Sequence, residues 1–447
     1  MSQIKKYVLF SPVGTHDPIG VVDKDGKPSE GSMLHIIRHY KPDAVYLYIT
    51  KELNYNDNRY EKAIKKFNPD CEVKEIISEL DDDDVNSYDA FIEDFRKYIT
   101  EIYDKYNKKG YEILLNVASG TPQMKSNLIL EVITNNNTKL IPVQVYTPTK
   151  EKNFKDIFKF EDLDKIDIEK EYKNNRCKEP RILSFKRAKI QSQIESLIEN
   201  YEYSSAHKLF IEDRKDISQL FNDDLKKILH HAYLRVNLKY NEANKIINLQ
   251  NKGLTDAENE LLEYYYVMKL KYKKEELSDF ILRISPFATD LLFYYLQINV
   301  PALNKVLIDS KNGKQISINS SSDKNLINIY NSKYNANYIN NKKADSFINL
   351  DRLLKIMEYY KNNGVSSKMI NKFLDIRKIE RDVRNNVAHR MINITEQFIN
   401  EKVGLSSEDI LKKNEELLKI VIPKININDF IYDEINNKII ELLQKYK

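Results

Sequence analysis

The sequence is poor in the residues that build disulfide-rich, zinc-binding and loop-rich folds. Its 447 residues include two Cys, ten Gly and twelve Pro. Two thiols, Cys71 and Cys177, cannot build a disulfide framework or a thiolate zinc site. So little Gly and Pro favours long helices over a loop-rich β-fold.

Long apolar runs and an excess of one charge are also missing. No run approaches the roughly 18 apolar residues of a membrane span, and the N-terminal MSQIKKYVLFSPVG lacks a signal-peptide hydrophobic region. We therefore expect a soluble, cytoplasmic protein with no membrane partner. Lys plus Arg total 71 and Asp plus Glu 67, a net charge of +4 that argues against non-specific coating of nucleic acid but permits a local basic cleft. Hydrophobic residues at 41% exclude a disordered chain.

The first 150 residues alternate between strand and helix patterns. Short apolar β-type runs occupy 7–10, 44–49, 73–77, 112–117 and 140–146, with helical patterns near 32–40, 58–67, 88–106 and 123–134. Nearly unbroken hydrophobic strands separated by amphipathic helices predict a doubly wound α/β domain with a parallel sheet. A strand order of 3-2-1-4-5 would make the first and fourth strands neighbours at the switch point.

After roughly residue 180, helix-period patterns take over. They cover 230–249, 259–273, 345–362, 367–383 running on past His389, 407–422 and 429–446. The Asn- and Ser-rich range 310–341 has weak periodicity and predicts a long loop or linker. The predicted plan is an α/β domain, a helical middle and a small helical bundle.

The first candidate site is the segment SPVGTHDP, residues 11–18, which follows the first strand. It places hydroxyls, backbone N–H groups and an imidazole at the carboxyl end of a strand, where open α/β sheets bind ligands. An ordinary turn rich in Gly and Pro is the alternative. Neither a G-x-G-x-x-G fingerprint nor a G-x-x-x-x-G-K-[ST] phosphate loop occurs in the chain.

The second candidate site is NVASGTPQM, residues 116–124, after the fourth strand. Thr121 is a suitable N-cap and Pro122 suits the first helical position. Gly120 would let a ligand approach the backbone, and the helix N-terminus would face that ligand. An ordinary capped helix is the alternative, but both segments would converge on one crevice at the switch point.

The third candidate site is RNNVAH, residues 384–389, within a helix-like stretch. At about 100° per residue, the four residues Arg377, Arg381, Asn385 and His389 share an i, i+4 stripe, with Arg384 beside it. The stripe is either a solvated basic face or a metal-free phosphate-processing site, in which His acts as general acid or base and Arg stabilises phosphorane charge.

Other groups of polar residues carry less. Consecutive carboxylates at Asp81–Asp84 cannot all face one ion, and the pairs His230-His231 and His35/His39 lack partners at ligand spacing. No metal site is predicted.

The three motifs together resemble the CARF–HEPN ribonucleases of type III CRISPR–Cas systems. The resemblance implies a Rossmann-like CARF domain that binds cyclic oligoadenylate, over 1–178, then a helical linker domain, 179–330, and a HEPN ribonuclease bundle, 331–447. It also implies a homodimer, a single-stranded RNA substrate, no cofactor or metal, and an activator made by the type III effector complex. We expect cyclic hexa-adenylate rather than tetra-adenylate.

The resemblance also assigns roles to individual residues. The HEPN signature falls on Arg384, Asn385 and His389, which would promote attack of the RNA 2′-hydroxyl and leave a 2′,3′-cyclic phosphate. The ligand loops fall on Gly14, Thr15, His16, Asp17, Ser119, Gly120, Thr121, Pro122 and Gln123. Groups around Thr121 would cleave the activator if the response is self-limiting. The alternatives are a non-catalytic ligand-sensing regulator and a HEPN toxin.

Overall fold

The computed structural model describes the following residues: 5–22, 27–80, 84, 87–135, 139–147, 152–153, 160–211, 220–249, 253–310, 313–316, 325–326, 348–384, 394–427 and 430–445. They form two compact units, Met1–Lys189 and Ile190–Lys447.

The first unit is the predicted doubly wound α/β domain. Its strands are β1 (Tyr7–Pro12), β2 (Ile19–Val22), β3 (Pro28–Glu30), β4 (Ala44–Ile49), β5 (Glu72–Ile77), β6 (Glu112–Asn116), β7 (Leu140–Val145), β8 (Lys152–Asn153) and β9 (Cys177–Lys178). Its helices are α1 (Ser32–Tyr40), α2 (Arg59–Phe67), α3 (Ala90–Tyr106), α4 (Pro122–Thr134) and α5 (Ile168–Lys173).

The main sheet has six strands in the order β5-β4-β1-β6-β7-β9. Neighbours from β5 to β7 pair in parallel, and β9 adds an antiparallel edge. The predicted order of the five long strands, 3-2-1-4-5, is confirmed. Alternate residues of β1 enter separate hydrophobic clusters, Phe10 in one and Leu9 in the other. Both faces of the sheet are therefore covered, which is why its strands lack the alternating pattern of a half-exposed sheet.

Short antiparallel pieces were missed by the sequence analysis. Strands β3, β2 and β8 form a three-stranded sheet, and β9 contributes two residues to the main sheet edge. Strands of two to four residues carry too few positions to show a period-two pattern.

The second unit is mainly helical. The boundary between the units falls within α6 (Leu183–Glu199). The helices that follow are α7 (Tyr203–Ile211), α8 (Asp223–Val236), α9 (Tyr240–Ile246), α10 (Asp256–Lys273), α11 (Leu277–Asn299), α12 (Leu350–Tyr359), α13 (Ser367–Ile379), α14 (Glu396–Val403), α15 (Ser407–Val421) and α16 (Ile431–Gln444). One hydrophobic cluster extends through them, from Ile194 to Leu443.

Two predictions for this unit were wrong. The single helix expected over 230–249 is two helices, α8 and α9, because Leu238 between them adopts a left-handed backbone with φ of 57°. The loop expected from residue 310 overlaps an antiparallel hairpin of β10 (Leu307–Ser310) and β11 (Gly313–Ile316). Most of the range 317–347 lies outside the described residues.

Candidate functional site

The loops after β1 and β6 meet at the carboxyl edge of the sheet. A Cβ atom added to Gly14 would lie 2.9 Å from the backbone nitrogen of Gly120 and 2.9 Å from Ser119 Oγ. The predicted convergence of the two loops is therefore confirmed. Their role in ligand binding stays a prediction.

Asp17 ties these loops together from below the surface. Its buried carboxylate accepts hydrogen bonds from the backbone N–H groups of Gly14 (3.2 Å) and Met33 (3.0 Å), and from the Ser119 hydroxyl. Burial raises the pKa of Asp17 above its usual range, and the three hydrogen bonds offset only part of that effect. Asp17 therefore joins both loops to the start of α1 through buried hydrogen bonds.

Asn116, the last residue of β6, makes a second set of buried hydrogen bonds between these segments. The buried Asn116 side chain donates to Ser11 Oγ at 2.9 Å and to Ser32 Oγ at 3.3 Å, and it accepts from the backbone N–H of Ala118 at 3.0 Å. Its amide thus connects the ends of β1 and β6 with the start of α1. The relative position of the three segments is set by buried polar contacts as well as by the sheet.

The converging loops border a cavity of about 260 Å³. Of the predicted ligand residues, five line its wall: Gly14, Thr15, His16, Ser119 and Gly120. The remainder of the wall comes from Gly20, Glu30, Gly31, Ser32, Ala118, Lys125, Val145, Thr147 and Arg176. Asp17, Thr121, Pro122 and Gln123, all within the described part of the chain, stand behind or beside this wall rather than on it. We call this space the loop cavity.

Helix α4 begins beside the loop cavity as predicted. Thr121 caps it by accepting from the Met124 backbone N–H at 3.3 Å, and Pro122 is its first residue. Gly120 lies on the cavity wall, and the loop has a second reason for glycine at this position. Its φ is +83°, and an added Cβ would lie 2.7 Å from Met124 Sδ and 2.9 Å from Pro12 Cβ. The packing of the loop itself therefore already requires glycine there.

Basic groups and a buried ion-pair network shape the electrostatics of the loop cavity. Lys125 and Arg176 lie on its wall. Behind Arg176, the Glu171 carboxylate lies 3.0 Å from its Nη2 atom. Burial opposes ionisation of Glu171, but the hydrogen bond with His35 and the charge of Arg176 together outweigh it and lower the pKa of this carboxyl. The wall thus offers cations and hydroxyl side chains to an anionic ligand.

Three side chains of the same network lie close enough to share an ion, so the expectation that His35 lacks partners is wrong: the fold brings two carboxylates to it from other elements. Donor atoms of Glu30, His35 and Glu171 are within 4.8 Å of one another, and all three residues are buried. Their carboxylate oxygens already contact Arg38 and Arg176. The prediction that the chain needs no metal stays a prediction.

The second unit contains the cavity associated with Arg384. Its volume is about 570 Å³, and we call it the arginine cavity. Its wall consists of Leu282, Ser285, Pro286, Thr289, Asp290, Lys314, Ile348, Asn349, Arg377, Glu380 and Arg384. The buried Glu380 carboxylate accepts from Ser285 Oγ at 2.5 Å and from Arg377 Nη1 at 2.5 Å. The cavity therefore presents two guanidinium groups, that of Arg384 and that of Arg377, which Glu380 holds in place, and guanidinium groups are suited to binding a phosphate.

The predicted i, i+4 stripe is wrong for Arg381. That side chain is 65% exposed and pairs with Asp382 at 2.7 Å, whereas Arg377 and Arg384 share the arginine cavity. On an α-helix, a side chain seven residues after another points within about 20° of the same direction, whereas one four residues later is rotated by about 40°. Arg384 is seven residues after Arg377, and Arg381 is four. The segment Glu380–Arg384 is also a π-helical turn, which shifts the register further and is frequent at functional sites. Asn385 and His389 lie outside the described residues.

Comparisons with known proteins agree with this two-part arrangement. Family models match residues 62–184 as the Cas_Csm6 CARF domain, 180–236 as the Csm6 6H domain and 246–440 as the Cas_Csm6 HEPN domain. The chain is 28% identical to the CRISPR system endoribonuclease Csm6 of Enterococcus italicus over 98% of this chain and 100% of that protein. It is 25% identical to that of Mycobacterium tuberculosis, over 97% and 98%.

A solved structure extends the likeness to the whole chain. Enterococcus italicus Csm6 bound to cyclic hexa-2′-fluoro-hexa-dAMP superimposes with a TM-score of 0.70 at 25% identity, covering 98% of this chain and 100% of the other. The chain belongs to the CARF–HEPN ribonucleases of CRISPR systems. It is an endoribonuclease, so the alternative of a non-catalytic regulator is wrong. The CARF match likewise decides against a HEPN toxin without a ligand-sensing domain.

The sequence analysis missed several wall residues of this CARF–HEPN ribonuclease. Lys125 follows the second motif by one residue and was within reach of the helix argument. Glu30, Gly31 and Arg176 come from segments whose strands are too short to show a pattern. None of the helices in the described part of the chain combines the length and the apolar composition that a membrane span requires.

Proposed function

We propose that this CARF–HEPN ribonuclease cleaves single-stranded RNA when cyclic oligoadenylate occupies the loop cavity. The carrying observation is the meeting of two loops on a wall that also holds Lys125, from the first turn of α4, and Arg176. A cyclic oligoadenylate has one negative charge per phosphodiester, and helix N-termini, Lys and Arg all favour such groups. The relative bound to a cyclic hexanucleotide analogue supports this assignment.

Within the loop cavity, the proposed ligand contacts are Gly14, Thr15, His16, Ser119 and Gly120, joined by Lys125 and Arg176. Asp17 would hold the loops rather than the ligand, because its carboxylate is buried and engaged by three donors. Thr121, Pro122 and Gln123 would act through the geometry of α4, whose positive N-terminal end would lie beside the ligand.

The proposed nuclease reaction needs no metal. The 2′-hydroxyl of RNA loses a proton and attacks the adjacent phosphorus, the bond to the 5′-oxygen breaks, and that oxygen takes up a proton. His389 would move the proton, Arg384 would stabilise negative charge on the phosphoryl oxygens, and Asn385 would assist beside them. The products are a 2′,3′-cyclic phosphate and a 5′-hydroxyl. The arginine cavity supports Arg384 in this role.

Finer features are proposed on the same basis. The domains would be CARF over 1–178, a helical linker over 179–330 and HEPN over 331–447. The protein would act in the cytoplasm as a homodimer, because a two-fold symmetric ring suits an isologous interface. The activator would be cyclic hexa-adenylate, supplied by the type III effector complex. Cleavage of that activator by groups around Thr121 would limit the response.

One experiment tests the proposal. Labelled single-stranded RNA is incubated with the protein in EDTA, alone and with cyclic tetra-adenylate or cyclic hexa-adenylate, and the product ends are analysed. We expect strong stimulation by the hexameric ring and 2′,3′-cyclic phosphate ends. RNA cleavage at the same rate with and without either cyclic oligoadenylate would overturn ligand activation. RNA cleavage that requires added magnesium would overturn the metal-free mechanism.

A further inference from the structure

Arg176 is held unusually firmly for an arginine on a cavity wall. Its Nη1 atom donates to the Tyr146 carbonyl at 3.2 Å, and its Nη2 atom donates to the Glu30 carbonyl at 3.0 Å and to the Glu171 carboxylate at 3.0 Å. Only 14% of the side chain is exposed. The guanidinium is therefore fixed in one orientation. Ligand binding would not pay the entropic cost of immobilising a mobile side chain.

His35 connects the backbone of Arg176 to both carboxylates. The Arg176 N–H donates to His35 Nε2 at 3.0 Å, so Nε2 must carry the lone pair and the proton must lie on Nδ1. Nδ1 is 3.2 Å from a Glu30 carboxylate oxygen and 3.1 Å from one of Glu171. The hydrogen-bond network thus assigns a neutral imidazole that fixes the start of β9 and orients both acids.

The network balances its charge with side chains alone. Arg38 pairs with Glu30, Arg176 pairs with Glu171, and a neutral His35 lies between the two acids. Buried charges persist when they are paired and hydrogen-bonded in this way. Its members come from β3, α1, α5 and the segment before β9, which are separated in sequence but adjacent at the loop cavity. Burying so many charged groups costs free energy of desolvation. Of the network's side chains, Arg176 is the cation that lies on the cavity wall and can contact an anion.

We propose that Arg176 binds a phosphodiester of the cyclic oligoadenylate, and that Glu171 and His35 are positioning residues that hold its guanidinium in the loop cavity. The inference rests on the proposed function, since it takes the ligand of that cavity as given. It adds the group of the ligand that Arg176 binds, a phosphodiester, and the buried acid and imidazole that hold Arg176 in place.

The test measures the half-activating concentration of cyclic hexa-adenylate in RNA cleavage, together with the rate at saturation. Arg176→Ala removes a hydrogen bond between charged groups and should raise that concentration by roughly 10- to 100-fold. Arg176→Lys should recover part of the lost ligand affinity, because lysine keeps the positive charge but lacks the planar set of N–H donors of the guanidinium. Glu171→Gln keeps the shape but not the charge, and should raise the concentration by roughly three- to tenfold. The matched control is Glu169→Gln, on the same helix with an 87% exposed side chain, which should match wild type.

A double-variant cycle separates positioning from a merely structural role. If Glu171 acts through Arg176, then Glu171→Gln should add little to the half-activating concentration of Arg176→Ala. An equal further rise in that background would show that Glu171 acts independently and would overturn the positioning role. Thermal unfolding of each variant reports any loss of folded protein.

The failure of this inference differs from that of the proposed function. Wild-type protein that does not respond to cyclic hexa-adenylate or tetra-adenylate would refute the activation mechanism itself. Wild-type protein that responds, with Arg176→Ala responding at the same concentration, would refute only the role of Arg176. A half-activating concentration for wild type that rises with EDTA would instead indicate an ion among Glu30, His35 and Glu171, and would overturn the metal-free network.

Discussion

Of the glycines on the wall of the loop cavity, Gly31 leaves the least space for a Cβ atom, and replacing it with alanine should destabilise the protein. An added Cβ would lie 2.3 Å from the His16 carbonyl oxygen, 2.7 Å from Asp17 Oδ1 and 3.0 Å from the Pro18 carbonyl carbon. Ordinary contact begins near 3.4 Å, so the clash with His16 amounts to about 1 Å. Gly31 has a φ of −65°, which alanine also adopts, so the effect comes from space alone.

The magnitude follows from the identity of the clashing atoms. Overpacking costs about 1–3 kcal/mol, and the upper end applies here because two of the three neighbours are backbone atoms that cannot rotate away. For a unit the size of Met1–Lys189, about 3 kcal/mol corresponds to a decrease in Tm of about 6–12 °C. Because the loop that bears His16 must move, the half-activating concentration of cyclic hexa-adenylate should rise as well.

The matched control is Gly20→Ala, on the same cavity wall. Its added Cβ would meet nothing closer than 3.4 Å, at the Glu30 carbonyl oxygen and Gly31 Cα. Both substitutions reduce the flexibility of the unfolded chain alike, so their difference isolates the clash in the folded state. Differential scanning calorimetry on the full chain measures both variants. Equal Tm values for Gly31→Ala and Gly20→Ala would refute the reasoning.

The remaining predictions concern catalysis, capping and pH. His389→Ala should lower RNA cleavage by roughly 10²- to 10⁴-fold without weakening oligoadenylate binding, as measured by cleavage rates and calorimetric titration; full activity would contradict its role as general acid or base. Thr121→Ala removes the cap of α4, costs about 1 kcal/mol, and should raise the half-activating concentration by at most about tenfold; a larger shift would indicate direct ligand contact. Burial raises the pKa of Asp17, so wild type should be most stable relative to Asp17→Asn below the usual carboxyl pKa, and should lose that advantage as pH rises through the raised value. Urea unfolding of both proteins from about pH 3 to 8 checks the sign, and a difference that does not change with pH would contradict it.

Arg377 and Arg381 show where a helical pattern reaches its limit. Their spacing predicts that both lie on one basic stripe, yet Arg377 is held by Glu380 inside the arginine cavity and Arg381 pairs with Asp382 at the surface. The i, i+4 rule describes neighbouring side chains, but a wall formed over two turns depends on accumulated rotation and on local changes such as the π-helical turn at Glu380–Arg384.

The sequence by itself determined the order of the sheet and the meeting of its two loops. Continuous apolar strands separated by amphipathic helices allow few topologies, because crossovers between parallel strands are right-handed and strand ends meet at one edge. The start of α4 was equally local, since Thr121 and Pro122 satisfy helix-end requirements within a few residues. Such features depend on short-range physics, which a sequence pattern records directly.

Only the tertiary structure decided which side chains complete the loop cavity. Arg176 comes directly before the two-residue edge strand β9. Its partners Glu30, His35 and Glu171 are buried and come from three separate elements. A charged residue in a polar segment looks like any solvated surface group until the fold removes water from it. Its partners are then chosen by packing between elements distant in sequence, and no local periodicity carries that information.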